Sequence, residues 1–92
     1  MAKKTVRFNR TGASKLPNDK PVVYKITTPG GRINYVGVAH RGRVSERIAE
    51  HLGEGRIPGA KVQVEQKSSI KEARDTERRI IARSDPKYNR QG

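Results

Sequence analysis

Hydrophobic and polar residues alternate in three short stretches of this chain, which is the pattern of β-strands. The stretches cover residues 22–26, 33–38 and 61–66. The first two are separated by Thr-Pro-Gly-Gly at residues 28–31, a composition typical of a hairpin turn. The pattern therefore predicts an antiparallel hairpin and a third strand.

Between the second and third strands the hydrophobic period changes. Val44, Ile48 and Leu52 recur every four residues within residues 42–52, and Gly53 follows. This spacing places the three apolar side chains on one face of a helix. The chain is predicted to form an amphipathic helix here.

A second helix is predicted near the end of the chain. Ser68 or Ser69 can serve as its N-cap, and Glu72 lies at capping-box spacing from Ser69. The helix is expected to run to about residue 83, because Pro86 then stops it. The element order β-β-α-β-α predicts an α+β domain with a small three-stranded antiparallel sheet flanked by helices.

The first 20 residues have no such periodicity. They carry six basic side chains and one acidic side chain, a net charge of 6 − 1 = +5. We interpret residues 1–20 as a basic, partly flexible arm that precedes a domain at residues 21–92. Such an arm either follows the phosphates of a nucleic acid or is a solvated tail.

The whole chain of 92 residues is strongly basic, with 21 Lys and Arg against 9 Asp and Glu, a net charge of +12. This charge favours a polyanionic partner, and nucleic acid is the first candidate. An anionic membrane surface is the second candidate, but no long basic amphipathic helix or lipidation signal supports it. A membrane span is not expected, since no apolar run approaches the ~20 residues that one needs. The chain has no cysteine, which excludes disulfides and thiolate metal sites and is compatible with the reducing cytoplasm.

Two tyrosines form a candidate site on the hairpin. If the turn is centred on Pro29 and Gly30, Tyr24 and Tyr35 are directly opposite each other on one face of the sheet. Gly37 on that face leaves a gap beside Tyr35, where a ligand or another backbone can approach. The alternative is an aromatic pair that only stabilises the sheet.

The helices carry two further candidate groups. Glu77 continues the apolar stripe of Ala73 and Ile80, where a carboxylate is costly unless it is paired, hydrogen-bonded or bound to a metal. A neighbouring arginine as its partner is the structural alternative. Arg47 and His51 are four residues apart and therefore share one face of the first predicted helix. They are either binding groups or part of a solvated flank.

Taken together, these residues resemble the GIY-YIG nuclease superfamily. The resemblance is carried by "VYK" at 23–25, "YVG" at 35–37, the Arg and His four apart, the later Glu, and "PKYN" at 86–89. It covers roughly residues 21–89 and implies a small antiparallel sheet flanked by helices. It also implies a divalent-metal-dependent endonuclease that hydrolyses phosphodiester bonds in DNA.

The resemblance assigns the catalytic residues as Tyr24, Tyr35, Arg47, His51, Glu77 and Asn89. It implies that Glu77 binds one Mg²⁺ or Mn²⁺ ion and that Tyr24 takes a proton from the attacking water. Arg47 would hold the scissile phosphate, for which the guanidinium fork is suited. Tyr35 would orient the water or the phosphate by hydrogen bonding. His51 would donate a hydrogen bond to the phosphate or relay a proton, and Asn89 would position the site.

Other basic residues are expected to hold nucleic acid without reading its sequence. They are Lys25, Arg41, Arg43, Arg56 and Arg90. Two other functions stay open: a non-catalytic basic nucleic-acid-binding protein, and a GIY-YIG scaffold that is active only as a homodimer or with a partner protein. RNA also stays open as the substrate.

Overall fold

The structure, a computed structural model, describes residues 3–91, with side chains for residues 3–89. One antiparallel sheet of four strands has the spatial order β1-β4-β2-β3. The strands are β1 (Lys3–Arg7), β2 (Val22–Thr27), β3 (Ile33–Ala39) and β4 (Lys61–Gln66). The α+β class is confirmed, and β2 to β4 coincide with the predicted strands to within one residue. The prediction of three strands is wrong because it omits β1.

Three α-helices and a final 3₁₀ helix complete the fold. They are α1 (Arg10–Ser14), α2 (Val44–Glu54), α3 (Ile70–Ser84) and the 3₁₀ helix Lys87–Gln91. Helix α3 begins as predicted, with the Ser69 side chain accepting a hydrogen bond from the backbone N–H of Glu72 at 3.2 Å. It ends at Ser84; the C-cap residue, Asp85, has a left-handed φ of 46°, and Pro86 follows.

The first 20 residues, predicted to be an arm, contain both β1 and α1. Strand β1 pairs along its length with β4. Ala13 and Leu16 are buried in the core. The Asn18 side chain accepts hydrogen bonds from the backbone N–H groups of Val44 (2.8 Å) and Ser45 (3.2 Å). This segment therefore caps the N-terminus of α2. The side chain of Arg43, the N-cap residue of the helix, makes no capping hydrogen bond.

The hairpin register differs from the predicted one. Tyr24 is opposite Gly37, and Tyr35 is opposite Ile26. The shift arises at the turn, where the ladder has an irregularity after Ile26 and Gly31 has a φ of 93°. The two tyrosines are thus diagonal neighbours on the same face of the sheet, with ring centroids 6.1 Å apart.

Each face of the sheet carries its own core. The larger core contains Tyr24, Ile26 and Val64 and is covered by α1 and α2. The smaller core contains Val23, Val36 and Ile80 and lies under α3. Because α3 contacts β2 and β3, it leaves β1 and β4 uncovered on that second face. Within the described part of the chain, every helix is too short or too polar to cross a membrane.

Candidate active site

A buried hydrogen bond between strand and helix forms the centre of the site. Tyr24 on β2 is fully buried, and its hydroxyl lies 2.6 Å from Nε2 of His51 on α2. His51 is 4% exposed. The rings of Tyr35 and His51 meet edge to face with centroids 5.0 Å apart, so the three rings form one cluster.

Gly37 makes room for this cluster. A Cβ atom at position 37 would lie 2.5 Å from Oη and 2.6 Å from Cζ of Tyr24, and 3.0 Å from the Tyr35 ring. The gap predicted beside Tyr35 therefore exists, but the ring of Tyr24 fills it. Only glycine allows the phenol to cross β3 and reach His51 in this way.

The environment keeps both hydrogen-bonded groups neutral. Burial raises the pKa of the Tyr24 hydroxyl, Tyr35 adds to the increase, and the nearby Arg47 only partly offsets it. Burial also lowers the pKa of His51, as does the positive charge of Arg47. A neutral His51 has one ring nitrogen free of a proton, so Nε2 can accept the hydrogen bond from Tyr24.

The second ring nitrogen of His51 is buried without a hydrogen-bond partner among the described residues. A carboxylate oxygen of Glu54 lies 3.9 Å from Nδ1. If Nε2 accepts from Tyr24, the proton of the neutral imidazole is on Nδ1. A protonated His51 would therefore have a carboxylate close to Nδ1–H.

Arg47 stands at the exposed side of the cluster with 44% of its side chain exposed. Its Nη1 atom lies 3.0 Å from Oε1 of Glu50, one turn along α2. Arg43 also pairs with Glu46, and its Nη2 lies 3.6 Å from Glu50 Oε2. Exposed ion pairs of this kind are weak, so a phosphate can replace Glu50 as the partner of Arg47.

Asn89 holds the 3₁₀ helix against the free edge of β3. Its Oδ1 accepts a hydrogen bond from the Val36 N–H at 2.8 Å, and its Nδ2 donates one to the Val36 carbonyl at 2.8 Å. The amide thus takes the place of a neighbouring strand. Its hydrogen-bonding capacity is directed to β3, so Asn89 fits the predicted positioning role rather than contact with substrate.

Glu77 lies at the edge of the buried stripe of α3, not at its centre. The buried residues of this helix are Ala73, Thr76 and Ile80, and Glu77 beside them is half-buried. Within residues 3–89 its carboxylate has no hydrogen bond and no ion pair. Burial raises its pKa, although Arg74 and Arg78 act in the opposite direction. Its charge also contributes slightly to the raised pKa of Tyr24. Glu77 does not line the cleft over the tyrosines, and α3 covers the other face of the sheet.

These properties leave Glu77 able to hold a cation. No three His, Cys, Asp or Glu side chains of the described chain are grouped as a complete metal site. Mg²⁺ is commonly held by one or two carboxylates together with water and substrate phosphate. A half-buried carboxylate with no partner among residues 3–89 fits that coordination, with Glu77 as the ligand from the protein.

A cleft of about 260 Å³ opens over the cluster. Its lining residues are Tyr35, Arg47, His51, Glu54, Arg56, Ile57, Tyr88 and Asn89. Sequence reasoning missed Glu54 and Tyr88 as members of the site. Two signals were present: Glu54 is three residues after His51 on the same helix, and Tyr88 precedes Asn89 in the PKYN segment.

The predicted nucleic-acid-binding residues do not lie on one surface. Arg56 is exposed at the cleft, and Arg41 and Arg43 are exposed just before α2. Lys25 follows Tyr24 on β2 and therefore points to the opposite face of the sheet. Arg90 lies outside the residues whose side chains are described.

No protein-family model, no curated protein and no solved structure matches this chain.

Proposed function

We propose that this chain is a divalent-metal-dependent endonuclease of the GIY-YIG type, which hydrolyses phosphodiester bonds in DNA with little sequence preference. One observation supports this most strongly. Residues far apart in sequence, namely Tyr35, Arg47, His51 and Asn89, line one cleft above the buried Tyr24. Glu77 on α3 is a half-buried carboxylate with no hydrogen bond or ion pair among residues 3–89, and its charge acts on the pKa of Tyr24.

The hydrogen bond between Tyr24 and His51 suggests the route of the proton. A lone tyrosine is a poor base here, because burial raises its pKa. Instead, Tyr24 takes a proton from the attacking water while it passes its own proton to Nε2 of neutral His51. Glu54 then faces the resulting imidazolium at Nδ1. Because Tyr24 is fully buried, the cleft has to open at Tyr35 before water reaches it.

The phosphate is held by the exposed side of the site. Arg47 exchanges Glu50 for a non-bridging phosphate oxygen, and Arg56 at the same cleft contacts the flanking backbone. A Mg²⁺ or Mn²⁺ ion held by Glu77 would neutralise charge on the phosphate and on the leaving 3′ oxygen. One such site cuts one strand at a time, so a monomer is expected to nick duplex DNA.

The test is cleavage of supercoiled plasmid in Mg²⁺, Mn²⁺ or EDTA by the wild type and two variants of α3. Glu77→Gln removes the proposed metal ligand. Asp75→Asn removes a carboxylate of the same helix whose ion pairs, among the described residues, are with the exposed Lys71 and Arg78. We expect nicking that needs metal, little change in Asp75→Asn, and a loss of about 100-fold or more in Glu77→Gln.

The stability of Glu77→Gln shows whether misfolding causes its loss of cleavage. Because burial raises the pKa of Glu77, its ionised form is disfavoured in the folded protein at neutral pH. Glu77→Gln is therefore expected to unfold at a higher temperature than the wild type at pH 7. Cleavage that persists in Glu77→Gln contradicts the assignment of the metal ligand. DNA binding without cleavage by all three proteins favours the non-catalytic binder or the partner-dependent scaffold.

A further inference from the structure

The half of the sheet that α3 leaves uncovered is entirely polar. On this face β1 presents Lys3, Thr5 and Arg7, and the alternating residues of β4 are Lys61, Gln63 and Glu65. The pairing places Lys3 opposite Glu65 and Arg7 opposite Lys61. On β2, Lys25 pairs with Gln63 of β4. This face needs no second layer for burial. Its β1 residues and Lys61 are exposed, and Gln63, Glu65 and Lys25 are partly exposed.

Helix α3 adds positive charge along one side of this polar half. A cleft of about 310 Å³ between the helix and the strands is lined by Lys3, Lys25, Glu65, Lys67, Thr76, Arg79, Ile80 and Arg83. It contains five cationic side chains and one carboxylate, a net charge of 5 − 1 = +4. We refer to Lys3, Lys25, Lys67, Arg79 and Arg83 as the basic face.

The one carboxylate does not neutralise the basic face. Glu65 is paired with Lys67, whose Nζ lies 3.1 Å from Oε2. Although burial acts to raise it, the pKa of Glu65 is held below its ordinary value by Lys67, Lys3 and Lys25. Within residues 3–89, Lys3, Lys25 and Arg83 have no carboxylate within ion-pair distance. Their charge is therefore available to an external anion.

We propose that the basic face is a second nucleic-acid contact, on the side of the sheet opposite the tyrosine cleft, and that it binds the phosphate backbone of a duplex. Charge complementarity supports a polyanion as the occupant. The side chains are long and flexible, and they suit phosphates rather than base edges. The proposal goes beyond the chemistry at Tyr24 and does not depend on it.

A duplex is favoured over a single strand because the basic face has no aromatic side chain. Proteins that bind single strands stack bases on aromatic rings, and each such contact contributes about 1–3 kcal/mol. The described aromatic residues, Phe8, Tyr24, Tyr35 and Tyr88, belong to the opposite core or to the tyrosine cleft. Contacts to the basic face are expected to be electrostatic and independent of sequence.

The test measures binding of the full chain to a fluorescent 20-base-pair DNA duplex in EDTA, as a function of KCl concentration. The variant Lys3→Gln/Lys25→Gln/Arg83→Gln reduces the net charge from +12 to 12 − 3 = +9. The control Lys15→Gln/Lys20→Gln/Arg32→Gln makes the same change at exposed residues outside the basic face and the tyrosine cleft. EDTA separates this test from that of the nuclease.

Each phosphate contact contributes about 0.9 to the slope of log K against log salt, so losing three reduces the slope by about 2.7. Between 50 and 200 mM KCl, the affinity of the basic-face variant is then expected to fall about 40-fold less than that of the wild type. We expect the slope of the control to change by less than one unit. Equal changes in both variants, or none in the basic-face variant, would overturn the proposal.

A gain of affinity provides a check that misfolding cannot mimic. Glu65→Gln removes the one carboxylate of the cleft, so tighter duplex binding and a steeper salt slope are expected. Unchanged or weaker binding of a folded Glu65→Gln protein contradicts the proposal. Vesicles that contain phosphatidylserine serve as a further comparison. If the basic-face variant loses vesicle binding but keeps duplex binding, the surface binds membranes and the proposal fails.

Discussion

Replacement of Gly37 by alanine directly tests how the candidate site is packed. The added Cβ would lie 2.5 Å from Tyr24 Oη and 2.6 Å from Cζ, distances that real Cβ atoms do not tolerate. The phenol is a rigid ring and fully buried, and the added Cβ would also lie 3.0 Å from the Tyr35 ring. The ring of Tyr24 must therefore move away from His51, or β3 must separate from β2.

Two effects set the size of the destabilisation. Overpacking a buried site costs about 1–3 kcal/mol. Loss of the hydrogen bond between Tyr24 and His51 adds about 1 kcal/mol. The free energy of unfolding should fall by about 2–4 kcal/mol. With an m-value of about 1 kcal/mol/M in urea, the unfolding midpoint is expected to fall by about 2 M or more.

The assay is urea unfolding followed by circular dichroism, with Gly53→Ala as the matched control. Gly53 lies within α2, and no atom comes within 4 Å of its added Cβ. Alanine is favoured over glycine in a helix by about 0.5–1 kcal/mol, so this variant should be more stable than the wild type. If Gly37→Ala is as stable as the wild type, the Tyr24 ring does not pack across Gly37 as described.

Two further predictions concern the residues around the cluster. Burial and the charge of Arg47 lower the pKa of His51 in the folded protein, so protonation of His51 favours the unfolded chain. The free energy of unfolding should therefore decrease as the pH falls below about 6.5, the ordinary pKa of histidine. Urea unfolding at pH 5 and 7 should show this decrease in the wild type and in His40→Gln but not in His51→Gln; equal decreases in all three would contradict the burial of His51. Asn89→Ala removes two hydrogen bonds to Val36, so the Val36 amide should exchange with solvent about tenfold faster or more in NMR measurements, and unchanged exchange would refute the pairing.

The segment that sequence reasoning missed shows how little pattern an edge strand needs. In β1, Lys3, Thr5 and Arg7 face solvent, and only Val6 is partly buried on the core side. A strand at the edge is stabilised by its backbone pairing with β4, which leaves almost no periodic signal in the chain. The capping of α2 by Asn18 is equally invisible, because the two are distant in sequence.

Most of the residues that line the cleft could be named from the sequence, but their arrangement could not. Tyr24 and Tyr35 were correctly placed on one face, since strand alternation is a local property. Their register was wrong, because it depends on the turn, where an irregularity after Ile26 shifts the pairing. The same alternation places Lys25, one of the predicted nucleic-acid-binding residues, on the face of the sheet opposite Tyr24.

By itself the sequence determined what local periodicity encodes: strands β2 to β4, helices α2 and α3, the cap at Ser69 and the excess of positive charge. The tertiary structure decided which groups meet. It joined Tyr24 to His51 across Gly37, tied Asn89 to Val36 and gathered the basic face beside an uncovered half-sheet. The physical reason is that hydrogen bonds and burial between distant segments depend on register and on which strands a helix covers. Neither is set by the residues next to one another in the chain.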